Sequence, residues 1–135
     1  MSKVAVVFYS GSGNTEAMAD VIVSAIGADK IEAENFGASK LADYDAIAFG
    51  CPAMGDEVLE ETIFQPMWDD VKTGLAGKKV ALFGSYGWGD GQWMRDWEAD
   101  AQANGVTLAC ESVICNEAPD DEAKAALEAL AKAIG

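Results

Sequence analysis

Six residues near the N-terminus form a segment rich in glycine and hydroxyl groups. Ser10-Gly-Ser-Gly-Asn-Thr15 follows an apolar run and precedes residues with helical spacing. Glycines let the backbone turn sharply and present its N–H groups, and the polar side chains add further donors. The N-terminus of the following helix adds positive partial charge. Because the segment contains no Lys or Arg, we expect it to hold a phosphate through neutral hydrogen bonds.

Other phosphate and nucleotide motifs match this segment less well. A P-loop requires Gly-Lys followed by Ser or Thr, a combination that the sequence lacks. A dinucleotide fingerprint is half matched by Gly11 and Gly13, but its third glycine position is Glu16. Acidic Glu32 and Glu34 lie near the expected distance downstream. Taken alone, the segment is also compatible with a simple connecting turn.

Two later segments also contain glycine, and the second of them combines its glycines with aromatic residues, which is unusual for a simple turn. Cys51-Pro-Ala-Met-Gly-Asp-Glu57 follows one apolar run, and Ser85-Tyr-Gly-Trp-Gly-Asp-Gly-Gln-Trp93 follows another. In the latter segment, Trp88 lies between Gly87 and Gly89 and has little to pack on locally. A flat apolar ligand stacked on its indole would explain this position, although Trp88 could also fold back into the core.

The elements that must position these segments alternate between apolar runs and amphipathic stretches. Strands are predicted at 3–9, 30–36, 45–50, 79–84 and 106–115. Helices are predicted from spacing at 18–26, 64–71, 93–101 and 127–134, with Trp93 and Trp97 expected in the core. This alternation predicts a parallel sheet with helices on both faces. The three segments follow strands, so they should converge at the carboxyl edge of the sheet, where ligands bind.

Charge and composition exclude several classes of function. The chain has 9 Lys+Arg and 23 Asp+Glu, giving a net charge of -14, which argues against nucleic acid and anionic membranes as partners. Histidine is absent, which excludes Ser-His-Asp and Cys-His nucleophiles and His-based zinc sites. Any chemistry would therefore come from a bound cofactor.

The cysteines and the apolar runs predict where the protein resides. Cys51, Cys110 and Cys115 form neither a paired framework nor a Cys-x-x-Cys motif, and we expect them to be buried thiols in strands. Neither a signal peptide nor a run of roughly 20 apolar residues is recognisable. We expect a single domain over residues 1–135 that resides in the cytoplasm.

Taken together, the segments Ser10–Thr15, Cys51–Glu57 and Gly84–Gly91 resemble the three flavin mononucleotide (FMN) loops of short-chain flavodoxins of anaerobic bacteria. The similarity runs over nearly the whole chain. It implies an α/β flavodoxin-like fold, a three-layer sandwich with a five-stranded parallel sheet in the order 2-1-3-4-5. It also implies one FMN, bound non-covalently, and no metal. The cofactor-binding residues implied are Ser10, Gly11, Ser12, Gly13, Asn14, Thr15, Ala53, Met54, Gly55, Asp56, Glu57, Ser85, Tyr86, Gly87, Trp88, Gly89 and Asp90.

The resemblance also implies a role for individual residues. Met54 would cover the inner face of the isoalloxazine ring and Trp88 its outer face. Glu57 would accept a hydrogen bond from the flavin N3–H. Gly87 and Gly89 would offer backbone groups to the pyrimidine edge. The side chains implied for the phosphate are those of Ser10, Ser12, Asn14 and Thr15.

Gly55-Asp56 matches the redox-linked peptide of that family, which flips on one-electron reduction so that the glycine carbonyl accepts a hydrogen bond from N5–H. Glycine permits the flip with little strain. Because the new bond exists only once N5 is protonated, it favours the neutral semiquinone selectively. A fully reduced, anionic flavin is disfavoured beside a phosphate in a chain of net charge -14. A low-potential carrier cycling mainly between semiquinone and hydroquinone is therefore implied.

The partners implied are redox proteins, such as reductases and oxidoreductases with basic patches, that dock over the flavin edge of a monomer. Acidic residues near that edge would guide them, since complementary charge sets encounter rates. They are Asp56, Glu57, Glu60, Glu61 and Asp90. Such a protein is an electron-transfer protein and not an enzyme.

Two other proteins of this general architecture are alternatives. An FMN-dependent NAD(P)H:quinone reductase would need a nicotinamide or quinone pocket, but the chain has no further glycine-rich or basic loop and Trp88 would block one flavin face. A phospho-acceptor receiver domain requires acidic residues after the first strand and an Asp at the end of the third. Tyr9-Ser10 and Gly50-Cys51 stand at those places.

Overall fold

The structure is a computed structural model, and it describes residues 3–11, 13–54, 58–87 and 89–135. Its strands are β1 (Val4–Phe8), β2 (Asp29–Glu32), β3 (Ala46–Gly50), β4 (Lys79–Tyr86) and β5 (Val113–Asn116). Its α-helices are α1 (Asn14–Ile26), α2 (Phe64–Val71), α3 (Gln92–Ala103) and α4 (Asp121–Ile134). Turns of 3₁₀-helix occur at Ala33–Asn35, Ala38–Asp43 and Lys72–Gly74.

The strands form one parallel sheet in the order β2-β1-β3-β4-β5, which confirms the predicted fold. β1 and β3 are buried along their whole length, as continuous apolar runs predict for central strands. Alternate residues enter two separate cores, one containing side chains of α2 and α3 and the other side chains of α1 and α4. Within the described ranges, every helix is too short or too polar to cross a membrane.

The core beneath α2 and α3 contains aromatic rings that pack against one another. The ring centroids of Phe49 and Trp68 are 5.3 Å apart, and those of Trp68 and Trp97 are 5.7 Å apart. Phe64 packs against Trp97 at 5.3 Å, and all three contacts are edge-to-face, the favoured geometry for aromatic pairs. Trp93 and Trp97 are 1% and 2% exposed, so the predicted core location of both is confirmed.

Gly84 lets β4 approach the end of β3 closely. A Cβ atom at this position would lie 2.2 Å from the carbonyl oxygen of Cys51, which real side chains do not tolerate. That same oxygen accepts a hydrogen bond of 3.1 Å from Nε1 of Trp93. The glycine therefore brings β4 and the first turn of α3 onto the end of β3, where the candidate site lies.

The ends of three strands differ from those predicted from the sequence. β2 ends at Glu32 and not at residue 36, because Glu32 pairs with Phe8, the last residue of β1, and no strand lies beyond. β4 continues two residues past Gly84, since Ser85 and Tyr86 pair with β5. The predicted strand at 106–115 is interrupted. Leu108 pairs with Val80, and Val113 pairs with Phe83. The chain takes five residue steps between Leu108 and Val113 where β4 takes three, so the extra residues interrupt the pairing with β4.

The cysteines also differ from the expectation that all three are buried in strands. Cys115 lies in β5 and is buried, whereas Cys51 is buried just beyond β3. Cys110 is partly exposed and lies between Leu108 and Val113, in the interrupted part of the last strand. The interruption removes Cys110 from the sheet, which is why the prediction for this residue is wrong.

Candidate functional site

A cleft of about 430 Å³ lies where the carboxyl ends of β1, β3, β4 and β5 meet. β2 and β3 lie on opposite sides of β1 in the sheet, so the strand order reverses at β1. The cleft therefore lies at the topological switch point. Its volume falls in the range of small-molecule sites, about 300 to 1,000 Å³. It is lined by Gly11, Asn14, Pro52, Ala53, Met54, Ser85, Tyr86, Gly87 and Glu117.

The turn between β1 and α1 presents unpaired backbone donors. Gly13 has a φ of 94°, which favours glycine, and precedes the first residue of α1. Oγ of Ser10 accepts hydrogen bonds from the N–H groups of Gly13 at 3.0 Å and Glu16 at 3.2 Å. Within the described parts of the chain, the N–H groups of Asn14 and Thr15 have no acceptor. Such donors at a helix N-terminus fit an anionic group such as a phosphate.

The first turn of α1 is joined to the end of β4 by a direct contact. The hydroxyl oxygens of Thr15 and Ser85 are 3.0 Å apart, and the two residues are 1% and 3% exposed. Buried hydroxyl groups need such partners, because an unpaired one costs roughly 1–3 kcal/mol. The contact fixes the two walls of the cleft relative to each other.

The segment after β3 is held on both sides. Ala53 donates its N–H to the carbonyl oxygen of Ser85 at 3.0 Å, which continues the pairing between β3 and β4. Met54 and Val58 exchange two backbone hydrogen bonds, of 2.9 and 3.1 Å. Met54 and Val58 are therefore held side by side.

Two lining residues were missed by the sequence reasoning. Pro52 and Glu117 both line the cleft, and Glu117 has a φ of 60°, a strained value for a residue other than glycine. Its N–H donates to the carbonyl oxygen of Tyr86 at 2.8 Å. Glu117 directly follows β5, so the rule that ligands bind beyond strand ends could have found it.

The remaining implied site residues fall into three groups. Those that line the cleft are Gly11, Asn14, Ala53, Met54, Ser85, Tyr86 and Gly87. Those that lie beside the cleft, in the adjoining turns or at the start of α1, are Ser10, Gly13, Thr15, Gly89 and Asp90. The exposed Asp90 pairs with Arg95 at 2.9 Å. Those that fall outside the described residues are Ser12, Gly55, Asp56, Glu57 and Trp88.

Glu60 does not lie on the surface, contrary to the prediction that it guides partners. It is only 6% exposed, and its carboxylate accepts hydrogen bonds from the backbone at the start of α2. Burial by itself raises the pKa of Glu60, but hydrogen bonds from Thr62, Phe64 and Ile63 outweigh it and lower the pKa overall. Glu60 is thus a buried, charged residue two positions after Val58.

Comparison with known proteins identifies the family. The family model described as Flavodoxin matches residues 6–129. The chain is 45% identical to a flavodoxin of Megasphaera elsdenii, with 96% of this chain and 99% of the relative covered. The chain belongs to the flavodoxin family. A flavodoxin of Clostridium beijerinckii is 43% identical over 91% of this chain and 93% of its own.

Solved flavodoxin structures agree with the fold. The solution structure of two-electron reduced Megasphaera elsdenii flavodoxin has a TM-score of 0.85 at 43% identity, covering 96% of this chain and 98% of that one. The crystal structure of oxidised flavodoxin 1 from Bacillus cereus also has a TM-score of 0.85, at 29% identity over 98% and 97% of the two chains. As a flavodoxin, the chain is an electron-transfer protein of a flavin-binding family.

Proposed function

We propose that this flavodoxin binds one FMN non-covalently and carries single electrons at low potential, cycling mainly between neutral semiquinone and hydroquinone. The observation that carries the proposal is the composition of the cleft. Its described lining contains no Lys or Arg and includes the acidic residue Glu117. Negative charge added to a flavin in such a site is not neutralised, so the second reduction is disfavoured.

The proposed cofactor is FMN because the site offers one turn for one phosphate. The N–H groups of Asn14 and Thr15, which have no acceptor among the described residues, suit a single terminal phosphate together with the hydroxyl of Ser10. Glycine at positions 11 and 13 permits close approach of that group to the backbone. The side chain of Ser12, which the family pattern also implies, is the further donor proposed here.

The isoalloxazine ring is proposed to lie between the segments that follow β3 and β4. Met54 and Tyr86 line the cleft on these two segments, and the backbone of Gly87 is available beside them. By the family pattern, Trp88 covers the outer face and Glu57 accepts from N3–H. The Gly55-Asp56 peptide is the proposed redox-linked group, whose glycine carbonyl would accept a hydrogen bond from N5–H.

The proposed partners are reductases and oxidoreductases that present basic patches to the flavin edge. The net charge of -14 and the exposed carboxylate of Asp90 support this proposal. We also propose that the protein acts as a monomer in the cytoplasm, where free thiols such as those of Cys51, Cys110 and Cys115 persist.

The test is a visible absorption spectrum of the purified protein during stepwise dithionite reduction, followed by release of the cofactor with acid. Flavin bands, a transient blue neutral semiquinone and released FMN are expected. Bleaching directly to the fully reduced form would contradict the one-electron carrier. Turnover of NADH with a quinone would instead support the reductase, and a colourless protein that does not take up FMN would contradict the whole proposal.

A further inference from the structure

The first turn of α1, where the phosphate is proposed to bind, also carries an acidic residue. Glu16 directly follows Thr15, and its N–H donates to Oγ of Ser10 at 3.2 Å. Ser10 and Glu16 also line one small recess beside the turn after β1. Side chains of a helix are inclined towards its N-terminus, so the charge of Glu16 belongs to the same helix end as the N–H groups of Asn14 and Thr15. Without a counter-ion, this charge would repel a phosphate.

Lys30 supplies the counter-ion from β2. Its Nζ lies 2.8 Å from Oε2 of Glu16 and 2.8 Å from Oδ1 of Asp20, which is one turn further along α1. The hydrogen bond to Asp20, followed by the one to Glu16, raises the pKa of Lys30 although burial opposes the shift. The ammonium therefore stays charged at neutral pH and is shared by the two carboxylates.

Packing against β1 determines where this ammonium lies. The backbone of Lys30 pairs with Val6, in the middle of β1. Its Nζ lies 5.6 Å from the centre of the Phe8 ring, within the range of a cation–π interaction. Phe8 is the last residue of β1, so the side chain of Lys30 extends along the strand to the end where the phosphate turn begins.

We propose that Lys30 is a positioning residue for the phosphate of FMN, which neutralises the carboxylate of Glu16 and so keeps the N-terminus of α1 available to the phosphate. It acts through Glu16 and not by binding the phosphate. The inference rests on the proposed FMN function. It explains how a turn without Lys or Arg accepts a dianion in a chain of net charge -14.

Three substitutions separate this role from a general effect of charge. Lys30→Gln leaves the carboxylate of Glu16 without its partner. Glu16→Gln removes the charge that Lys30 neutralises, so adding Lys30→Gln to it should have little further effect. Lys40→Gln is the matched control. Lys40 is exposed and lines a recess together with Lys30 and Glu16, but it has no ion pair within the described ranges.

The experiment measures the dissociation constants of FMN and of riboflavin, which has the same ring and ribityl chain but no phosphate. At an ionic strength of about 10 mM, we expect Lys30→Gln to weaken FMN binding by about fivefold and riboflavin binding by less than about 1.5-fold. At about 150 mM the loss for FMN should shrink to about twofold, because salt screens exposed charges. Lys40→Gln alone, and Lys30→Gln added to Glu16→Gln, should each change FMN affinity by less than about twofold at the lower ionic strength.

Equal weakening of FMN and riboflavin binding would show that Lys30 only maintains the fold, which overturns the proposal. An equal loss in Lys40→Gln would assign the effect to net charge and overturn it as well. A loss that persists undiminished in the Glu16→Gln background would mean that Lys30 does not act through Glu16. If riboflavin binds wild type too weakly to measure, this comparison of single and double variants decides by itself. A wild-type protein that binds no FMN would instead overturn the proposed function.

Discussion

The hydroxyl groups of Thr15 and Ser85 meet at 3.0 Å, although the residues are 70 positions apart in the chain. One begins the helix after the first strand, and the other lies near the end of the fourth. Both were expected to bind the cofactor, and in the structure they also bind each other. The shape of the cleft therefore depends on this hydrogen bond, which is buried.

Ser85→Ala tests this contact. The hydroxyl of Thr15 would lose its partner while remaining buried, so the free energy of unfolding should fall by about 1–2 kcal/mol. The affinity for FMN should weaken by about tenfold, because the two walls are no longer joined. Urea unfolding followed by tryptophan fluorescence, and titration with FMN, measure the two effects. Ser24→Ala, on the exposed face of α1, is the control and should change neither; an equal effect there would refute the argument.

Gly84→Ala should disrupt the joint between β3 and β4. Its Cβ would lie 2.2 Å from the Cys51 carbonyl oxygen, and relief of the clash should cost about 2–3 kcal/mol of stability. Gly87→Ala has nothing within 4 Å of the added Cβ and should leave stability within about 0.5 kcal/mol of wild type. Thermal unfolding of both FMN-free proteins distinguishes them, and equal melting temperatures would contradict the close approach at Gly84.

The stability of the protein should fall at acidic pH through Glu60 and Asp100. Burial opposes ionisation of Asp100, but Nε1 of Trp68 at 2.8 Å and the ammonium of Lys72 lower its pKa overall. Since both carboxyl groups have folded-state pKa values below the unfolded ones, about 4, their stabilisation is present above that pH. It is lost as the pH falls through the folded values.

Asp100→Asn should therefore flatten the acid side of the stability profile. The amide retains an acceptor for Nε1 of Trp68 but no longer titrates. Urea unfolding of the FMN-free protein between about pH 3 and pH 7 gives the profile, and Asp43→Asn, an exposed side chain without a hydrogen bond in the described structure, serves as control. A slope in Asp100→Asn identical to that of wild type would contradict a lowered pKa at Asp100.

The three thiols should react at different rates. Burial raises the pKa of Cys51 to about 12 and that of Cys115 to about 11, so the reactive thiolate is scarce at both. Burial also raises the pKa of Cys110, but this residue is partly exposed and accessible to a reagent. Alkylation by iodoacetamide near pH 8, followed by mass spectrometry, should modify Cys110 first. Labelling of Cys51 at the same rate would mean that the segment after β3 opens readily.

Electron transfer to a basic partner should slow as salt is added. The net charge of -14 attracts a positively charged protein, and the attraction is screened within a Debye length of about 8 Å at physiological ionic strength. A basic c-type cytochrome is a suitable acceptor for stopped-flow measurements on the reduced protein at low concentration. A neutral small-molecule oxidant is the control, for which the rate should not depend on salt. Equal salt dependence for the two acceptors would remove the role of charge.

The central strands could be predicted from the sequence because continuous apolar runs are required of strands buried on both faces. β1 and β3 agree with their predicted ranges to within a few residues for this reason. The break in the last strand was not predictable, since it depends on how Leu108 and Val113 align with β4. The local pattern of apolar residues does not specify which residues of the last strand pair with β4.

The candidate site was predictable in its loops but not in its internal contacts. The glycine and hydroxyl residues of the turn after β1 predict an anion site by their types alone, and the structure places Gly11 and Asn14 in the cleft. Glu60 was assigned to the surface because an isolated glutamate is almost always exposed. Its burial depends on the unpaired N–H groups of a helix that starts four residues later at Phe64, and on Sγ of Cys51. Such partners become visible only when the chain has been folded.

Glu117 closes the cleft from a position late in the chain, and this order has a consequence for the maturation of the protein. Gly11 supplies one wall and Glu117 another, with the residues of β3 and β4 between them. A nascent chain on the ribosome cannot present the complete lining until residue 117 has left the exit tunnel. The complete lining of the cleft therefore forms only after all five strands have been synthesised.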